Sequence, residues 1–190
     1  RLTTWFDTFM PTLELRNDTV ADLMSDSALV WITQYPFDGF RHDATKHIPM
    51  NFTRLLTEKI RKASDKHVYQ IGETYGSDEL IASYVGSGKV DAQFNFNLYD
   101  AAFEAFTQEG VSFDRLKKSL ESSLTYYGYH HLMGNISGNQ DKPRFASMAS
   151  GHLSPSEDSK LAGWTREIPE ANERGFRKMA CMHAFNIAVP

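Results

Sequence analysis

Three acids in this 190-residue sequence fall where chemistry could be done. Asp43 ends the run Phe37-Asp38-Gly39-Phe40-Arg41-His42-Asp43, and Glu73 ends Val68-Tyr69-Gln70-Ile71-Gly72-Glu73. Asp141 ends Gly138-Asn139-Gln140-Asp141, just past a further strand-like stretch. The first two runs carry the period of two of a β-strand, which puts each acid at a strand's C-terminal end. Taken singly, each acid reads as the cap of a following helix. Taken together on one rim, they describe a pair of carboxylates and a third. Adjacent parallel strands lie about 4.8 Å apart, close to the roughly 5–5.5 Å at which one carboxylate can attack a sugar carbon while the other, protonated, donates to the leaving oxygen. On the first strand Gly39, Arg41 and Asp43 share a face, and Asp38, Phe40 and His42 the other. Arg41 beside Asp43 would keep that carboxylate ionised and nucleophilic. The plain alternative is an ion pair plugging a strand end. Glu73 has Tyr69 and Ile71 on its face, a more apolar setting that suits a proton donor.

The elements that must carry these acids alternate. Residues 1–16 are expected to form a loop. Asn17-Asp18 predicts a capped helix over 18–33, with Val20, Leu23, Met24 and Leu29-Val30-Trp31 on one side. The strand over 37–43 is followed by a helix opened by Asn51 or Thr53. Its apolar stripe is Phe52, Leu55, Leu56 and Ile60, and Lys59, Arg61, Lys62 and Lys66 form a solvated basic face towards its end. A strand over 68–73, a weak helix over 77–86 and a strand over 91–97 come next. Helices over 99–108 and 113–126 precede a fourth strand over 131–136, a polar loop over 147–169 with room for a short helix, and a helix over 169–187. This order predicts an α/β fold with a parallel sheet. Glu73 follows Asp43 by 30 residues, close to the roughly 31 per unit of a (β/α)8 barrel. A doubly wound open sheet fits almost as well, but no glycine-rich phosphate loop follows any strand.

Composition removes other classes. Hydrophobic residues make up 41%, yet no run approaches the roughly 18 apolar residues of a membrane span. With 20 basic against 24 acidic residues and no basic stripe, nucleic acid is not an expected partner. Cys181 is the single cysteine, so no internal disulfide forms, and its apolar helical setting predicts a buried thiol. No zinc-ligand spacing occurs. The seven histidines are scattered, and the adjacent His130-His131 would point to opposite faces of a strand.

The acids also carry a family resemblance. DGFRHDATKH resembles the second signature region of the α-amylase family of glycoside hydrolases, whose pattern is roughly DGFRxDAxKH. IGE before Thr74 resembles the third region, and GNQDKPRF the fourth, usually NHDxxR. The three occur in family order, and LELRNDTVADLM resembles the segment before the third barrel helix, so the resemblance covers nearly the whole chain. It implies that Asp43 is the nucleophile, Glu73 the general acid/base, and Asp141 the acid that steadies an oxocarbenium-like transition state. Arg41 matches the arginine beside the nucleophile. Lys46 and His47 match the pair at the aglycone-side sugar subsites, where the alternative is the exposed start of a helix. Arg144 matches the family arginine after the fourth motif, as a substrate contact or as a salt bridge bracing the loop.

Where the family has a histidine that contacts hydroxyls of the sugar at the cleavage site, this chain has Gln140. Glutamine can donate and accept hydrogen bonds without a charge, which implies a retuned substrate-binding position. The family's first region and strands one to three and eight are missing. Residues 1–190 are therefore expected to be part of a single barrel catalytic domain, strands four to seven with their helices, cut at both ends. Standing alone, such a half-barrel would leave sheet edges unpaired. The implied activity is retaining hydrolysis of α-1,4-glucans such as starch and maltooligosaccharides. The alternatives are a related transglycosylase, a hydrolase of cyclodextrins, pullulan, α-1,6 bonds or trehalose, and a non-catalytic sugar-binding relative. No cofactor is required; structural calcium is left open, one donor being the carbonyl at His47, and no ligand set is assigned. A secreted or periplasmic location is favoured by the substrate class alone.

Overall fold

The computed structural model describes residues 5–128 and 132–190, and the chain divides into two compact units. The first unit holds residues 1–94 and 130–134. Its opening is not a plain loop, because β1 (Trp5–Asp7) and β2 (Met10–Pro11) pair antiparallel. Helix α1 (Asp18–Thr33) starts where its cap predicts, with the Asn17 side chain accepting from the backbone N–H groups of Thr19 and Val20. Its inward face differs from the expected one. Ala21 and Ser25 are buried, whereas Leu23, Met24, Val30 and Trp31 are exposed. The helix turns its small residues inward because α2 packs there, and Ala28, Leu29 and Ile32 join a core with Leu56, Ile60 and Val68. Each such buried aliphatic side chain contributes about 1.5–3 kcal/mol.

Strand β3 (Gly39–His42) leads through a short 3-10 turn (Thr45–His47) into α2 (Met50–Ala63). Helix α2 starts earlier than predicted, at Met50, with Pro49 as an N-cap that makes no side-chain capping bond. Lys59 does not belong to a solvated basic face. Its ammonium sits 2.6 Å from both Asp22 and Asp26 of α1 and pins the two helices. Burial works against its charged form, but the two carboxylates outweigh it and raise its pKa. Strand β4 (Tyr69–Gly72), α3 (Asp78–Ser83) and β5 (Ala92–Gln93) complete the run. The sheet is parallel in the order β3-β4-β5. The predicted strand over 91–97 is shorter, since Asn95 caps the next helix and Phe96 begins it. The predicted fourth strand reduces, among the described residues, to one parallel bridge between Gly134 and Phe94; its start, with His130 and His131, lies outside the described residues.

The second unit, residues 95–129 and 135–190, is helical. Helices α4 (Phe96–Thr107) and α5 (Asp114–Tyr127) are longer or shifted by a few residues from expectation. The stretch over 147–169, expected as a polar loop with room for a short helix, holds the end of α6 (Phe145–Ala149) and the short helix α7 (Ser159–Thr165), and α8 spans Glu173–Ala188 behind an Asn172 cap. The core gathers Leu98, Tyr99 and Ala102 of α4 with Leu116, Phe145 and Met182. Cys181 is exposed rather than buried, because α8 presents its neighbour Met182 to this core. Among the described residues, no helix is long and apolar enough to cross a membrane.

Candidate active site

Register builds the first half of the site. Arg41 pairs with Ile71 and His42 with Gly72 across the parallel strands. The next residues along, Asp43 and Glu73, therefore leave adjacent strand ends on the face that Arg41 and Ile71 share. Arg41 sits two residues before Asp43 on its own strand and diagonally across from Glu73, within reach of both. One guanidinium nitrogen bonds the Asp43 carboxylate, and the other lies 2.6 Å from Glu73 Oε2. Burial opposes the guanidinium's charge, but the hydrogen bond to Asp43 and the charges of Glu73 and Asp43 raise its pKa. The expected cation stands beside Asp43, but the apolar setting expected at Glu73 needs correction, since Arg41 serves that carboxylate as well. Exposure separates them instead: the Asp43 side chain is 72% exposed and that of Glu73 17%.

The ladder changes one step beyond β3. Glu73 N–H donates to His42 O at 2.9 Å, as an unbroken parallel ladder requires. Such a ladder would next bring Ala44 N–H to Glu73 O. Here Thr45 N–H makes that bond at 2.8 Å, so one extra residue is inserted into the first strand's end. Ala44 absorbs it in the left-handed region at φ 44°, ψ 46°, and its N–H faces Glu73 Oε2 at 3.4 Å. The buried Thr45 hydroxyl accepts from Glu73 N–H at 2.8 Å and donates to His42 O at 3.0 Å. Directly beneath, Gly72 leaves room for it; a Cβ there would stand 2.6 Å from Thr45 Oγ1 and 2.3 Å from Gln93 Nε2. Lys46 donates to Tyr75 O at 3.2 Å, and the His47 ring meets Phe6 edge-on with centroids 5.0 Å apart.

The opposite face of the strands is polar where it meets α2. His42 Nε2 bonds Gln70 Oε1 at 3.1 Å, and Gln70 Nε2 donates to Thr57 Oγ1 at 3.0 Å. A carbonyl oxygen can only accept, so Nε2 of His42 carries the proton. Burial lowers the His42 pKa, with the bond to Gln70 acting in the opposite direction. The sequence reading assigned nothing to Thr45, Gln70 or Gln93.

The remaining acid belongs to the second unit. Asp141 and Gln140 line a cleft of about 370 Å³ together with Arg144 and Lys160. Asp141 N–H donates to Asn139 Oδ1 at 2.9 Å, and Gln140 Nε2 donates to Asp141 Oδ2 at 3.2 Å. Lys160 of α7 comes within 3.9 Å of Asp141 Oδ1, a contact with no signal in the local sequence. Arg144 is exposed and makes no ion pair among the described residues. Arg41, Asp43, Glu73, Lys46 and His47 are thus placed in one unit, and Gln140, Asp141 and Arg144 in the other. Among the described residues, no group of three or more His, Cys, Asp or Glu side chains is arranged to hold a metal ion.

Residues 3–163 match the family model of the alpha amylase catalytic domain. The chain is similar to a cyclomaltodextrinase of Geobacillus thermopakistaniensis, 28% identical over 155 residues, covering 78% of this chain and 26% of the relative. It is 31% identical over 125 residues to an alpha-amylase of Streptomyces lividans, covering 56% of this chain and 13% of the relative. Among solved structures, the alpha-amylase of Geobacillus thermoleovorans complexed with acarbose superimposes with a TM-score of 0.71 at 26% identity, covering 78% of this chain and 33% of that one. The chain belongs to the alpha-amylase catalytic-domain family. That family implies a (β/α)8 barrel, of which the parallel sheet β3-β4-β5 is a part. The chain spans about a quarter or less of the length of these curated relatives.

Proposed function

We propose that this member of the alpha-amylase family is the part of a retaining glycoside hydrolase that cleaves α-1,4-glucans, contributing strands four to seven of one barrel catalytic domain. The observation that carries the reading is the single guanidinium of Arg41 shared by Asp43 and Glu73 at adjacent, in-register strand ends. In the first displacement Asp43 attacks the anomeric carbon, and the glycosidic oxygen leaves with a proton from Glu73. In the second, Glu73 removes a proton from water, which attacks the same carbon and frees Asp43. The more exposed carboxylate takes the nucleophile's part, and the more enclosed one the proton's. The resemblance of their motifs to the family's assigns Asp141 the part of steadying the positive charge that develops on the ring, and Lys46, His47, Gln140 and Arg144 the part of contacting sugar hydroxyls. Relatives named alpha-amylase and cyclomaltodextrinase support an α-glucan substrate.

The test uses the full-length protein that carries this chain. Asp43→Asn should lower turnover of maltooligosaccharides by on the order of 10⁴-fold while maltooligosaccharide binding persists. The product of the unaltered protein should be released with the α configuration, read by proton NMR within the first minutes. Release of the β anomer, or undiminished turnover by the variant, refutes the assignment.

A further inference from the structure

The hydroxyl of Thr45 occupies a place that the proposed chemistry does not yet use. Thr45 is 1% exposed. It bonds both backbone groups of Glu73: its N–H donates to Glu73 O at 2.8 Å, and its Oγ1 accepts from Glu73 N–H at 2.8 Å. The same hydroxyl donates to His42 O, on the residue before Asp43. One residue thus holds the backbone of one acid on both sides, its N–H at Glu73 O and its hydroxyl at Glu73 N–H, and the hydroxyl ties that backbone to the strand that carries the other acid. The inserted residue makes this possible. Without it Thr45 would lie one step further along the ladder, and its hydroxyl could not return to the strand ends. Among the described residues, the Glu73 carboxylate meets Arg41 and, more distantly, Ala44 N–H.

We infer that Thr45 is a positioning residue for proton transfer by Glu73, acting through the Glu73 backbone and not through contact with substrate. The inference rests on the reading of Glu73 as the general acid. A proton donor must stand within hydrogen-bond reach of the leaving oxygen, and misplacement by an ångström can lower rates by about 10²-fold. Removing the hydroxyl takes away one of the two acceptors of Glu73 N–H, leaving His42 O at 2.9 Å and the Thr45 N–H bond to Glu73 O, so the Glu73 backbone is held less tightly while the register of β3 with β4 remains.

The test exploits the leaving group. A maltooligosaccharide departs as a sugar alkoxide and needs the acid; maltosyl fluoride departs as fluoride and needs it far less. In the full-length protein, Thr45→Val should lower kcat/KM for maltopentaose by about 10- to 100-fold and leave kcat/KM for maltosyl fluoride within about twofold. Thr45→Ser, which keeps the hydroxyl, should restore maltopentaose cleavage to within about threefold. If the valine variant does not fold, Thr45→Ala removes the same hydroxyl with less bulk. Equal losses on both substrates, or no loss on either, overturn the inference. Glu73→Gln serves as the reference. A leaving-group split in that variant but not in Thr45→Val sinks the inference alone, whereas no split in Glu73→Gln sinks the general-acid reading and the inference with it.

Discussion

Gly72→Ala is expected to be costly for a reason visible only in three dimensions. Gly72 pairs with His42 on one side and Gln93 on the other, and a methyl group on it would enter filled space. Its nearest neighbours would be Gln93 Nε2 at 2.3 Å and Thr45 Oγ1 at 2.6 Å, both inside contact distance and both on side chains that are essentially inaccessible to solvent. Overfilling a packed site costs about 1–3 kcal/mol, and displacing Thr45 from Glu73 N–H costs about 1 kcal/mol more. The reduced freedom of alanine in the unfolded chain returns about 0.4–1 kcal/mol. The net loss should be about 1–3.5 kcal/mol, or roughly 5- to 400-fold in the unfolding equilibrium. Urea unfolding of the full-length protein, followed by circular dichroism, reads it as a lower midpoint at unchanged slope. Truncating the obstruction provides a second check. In the Gln93→Ala background the same alanine should cost at least about 1 kcal/mol less, because contacting sites couple. A single-variant loss below about 0.5 kcal/mol, or strictly additive variants, would show that Gly72 is not wedged between Gln93 and Thr45.

Two further outcomes follow from the same strand ends. Burial holds the His42 pKa below its ordinary value, so the unfolded chain binds the extra proton first as pH falls. His42 therefore contributes stability that is fully present above about pH 6.5 and is lost as pH drops through the lowered folded value. His42→Leu should flatten the unfolding free energy between neutral and mildly acidic pH, and an unchanged slope in paired urea titrations would refute this. Ala44 sits at φ 44°, where a β-branched side chain is strained; Ala44→Val should cost about 1–2 kcal/mol in the same unfolding assay and slow maltooligosaccharide cleavage, whereas an unaltered midpoint would show that the backbone yields there.

Helix α1 was legible because its start is a local matter: Asn17 satisfies the first free N–H groups whatever surrounds it. Its buried face was not, because that face is chosen by α2. The small residues Ala21 and Ser25 let the helices approach, and Leu23, Met24, Val30 and Trp31 of the expected apolar side stand outside. Alternation over Asp91-Ala92-Gln93-Phe94-Asn95-Phe96-Asn97 suggested a long strand, but Asn95 is also a helix cap and the cap prevailed. The Arg41–Asp43 pair could be read from spacing alone. The second contact of Arg41, to Glu73, needed the register between strands. The role of Thr45 depends on an inserted residue that leaves no compositional trace, and Lys160 reaches Asp141 from α7, a short helix whose place in the polar stretch the sequence does not specify.

The polar seam between His42, Gln70 and Thr57 also affects how the chain chooses among alternative packings. Greasy contacts between a helix and a sheet tolerate sliding, since one methyl group replaces another. Directional bonds do not. Were α2 to slip along the strands by one residue, Thr57 would leave the Gln70 amide unmatched in a dry interior, a penalty of about 1–3 kcal/mol that no aliphatic contact repairs. The buried Gln70–Thr57 bond thus acts as a key that admits a single alignment of helix on sheet, the His42–Gln70 bond ties that key to the neighbouring strand, and the strand ends bearing both acids inherit the alignment.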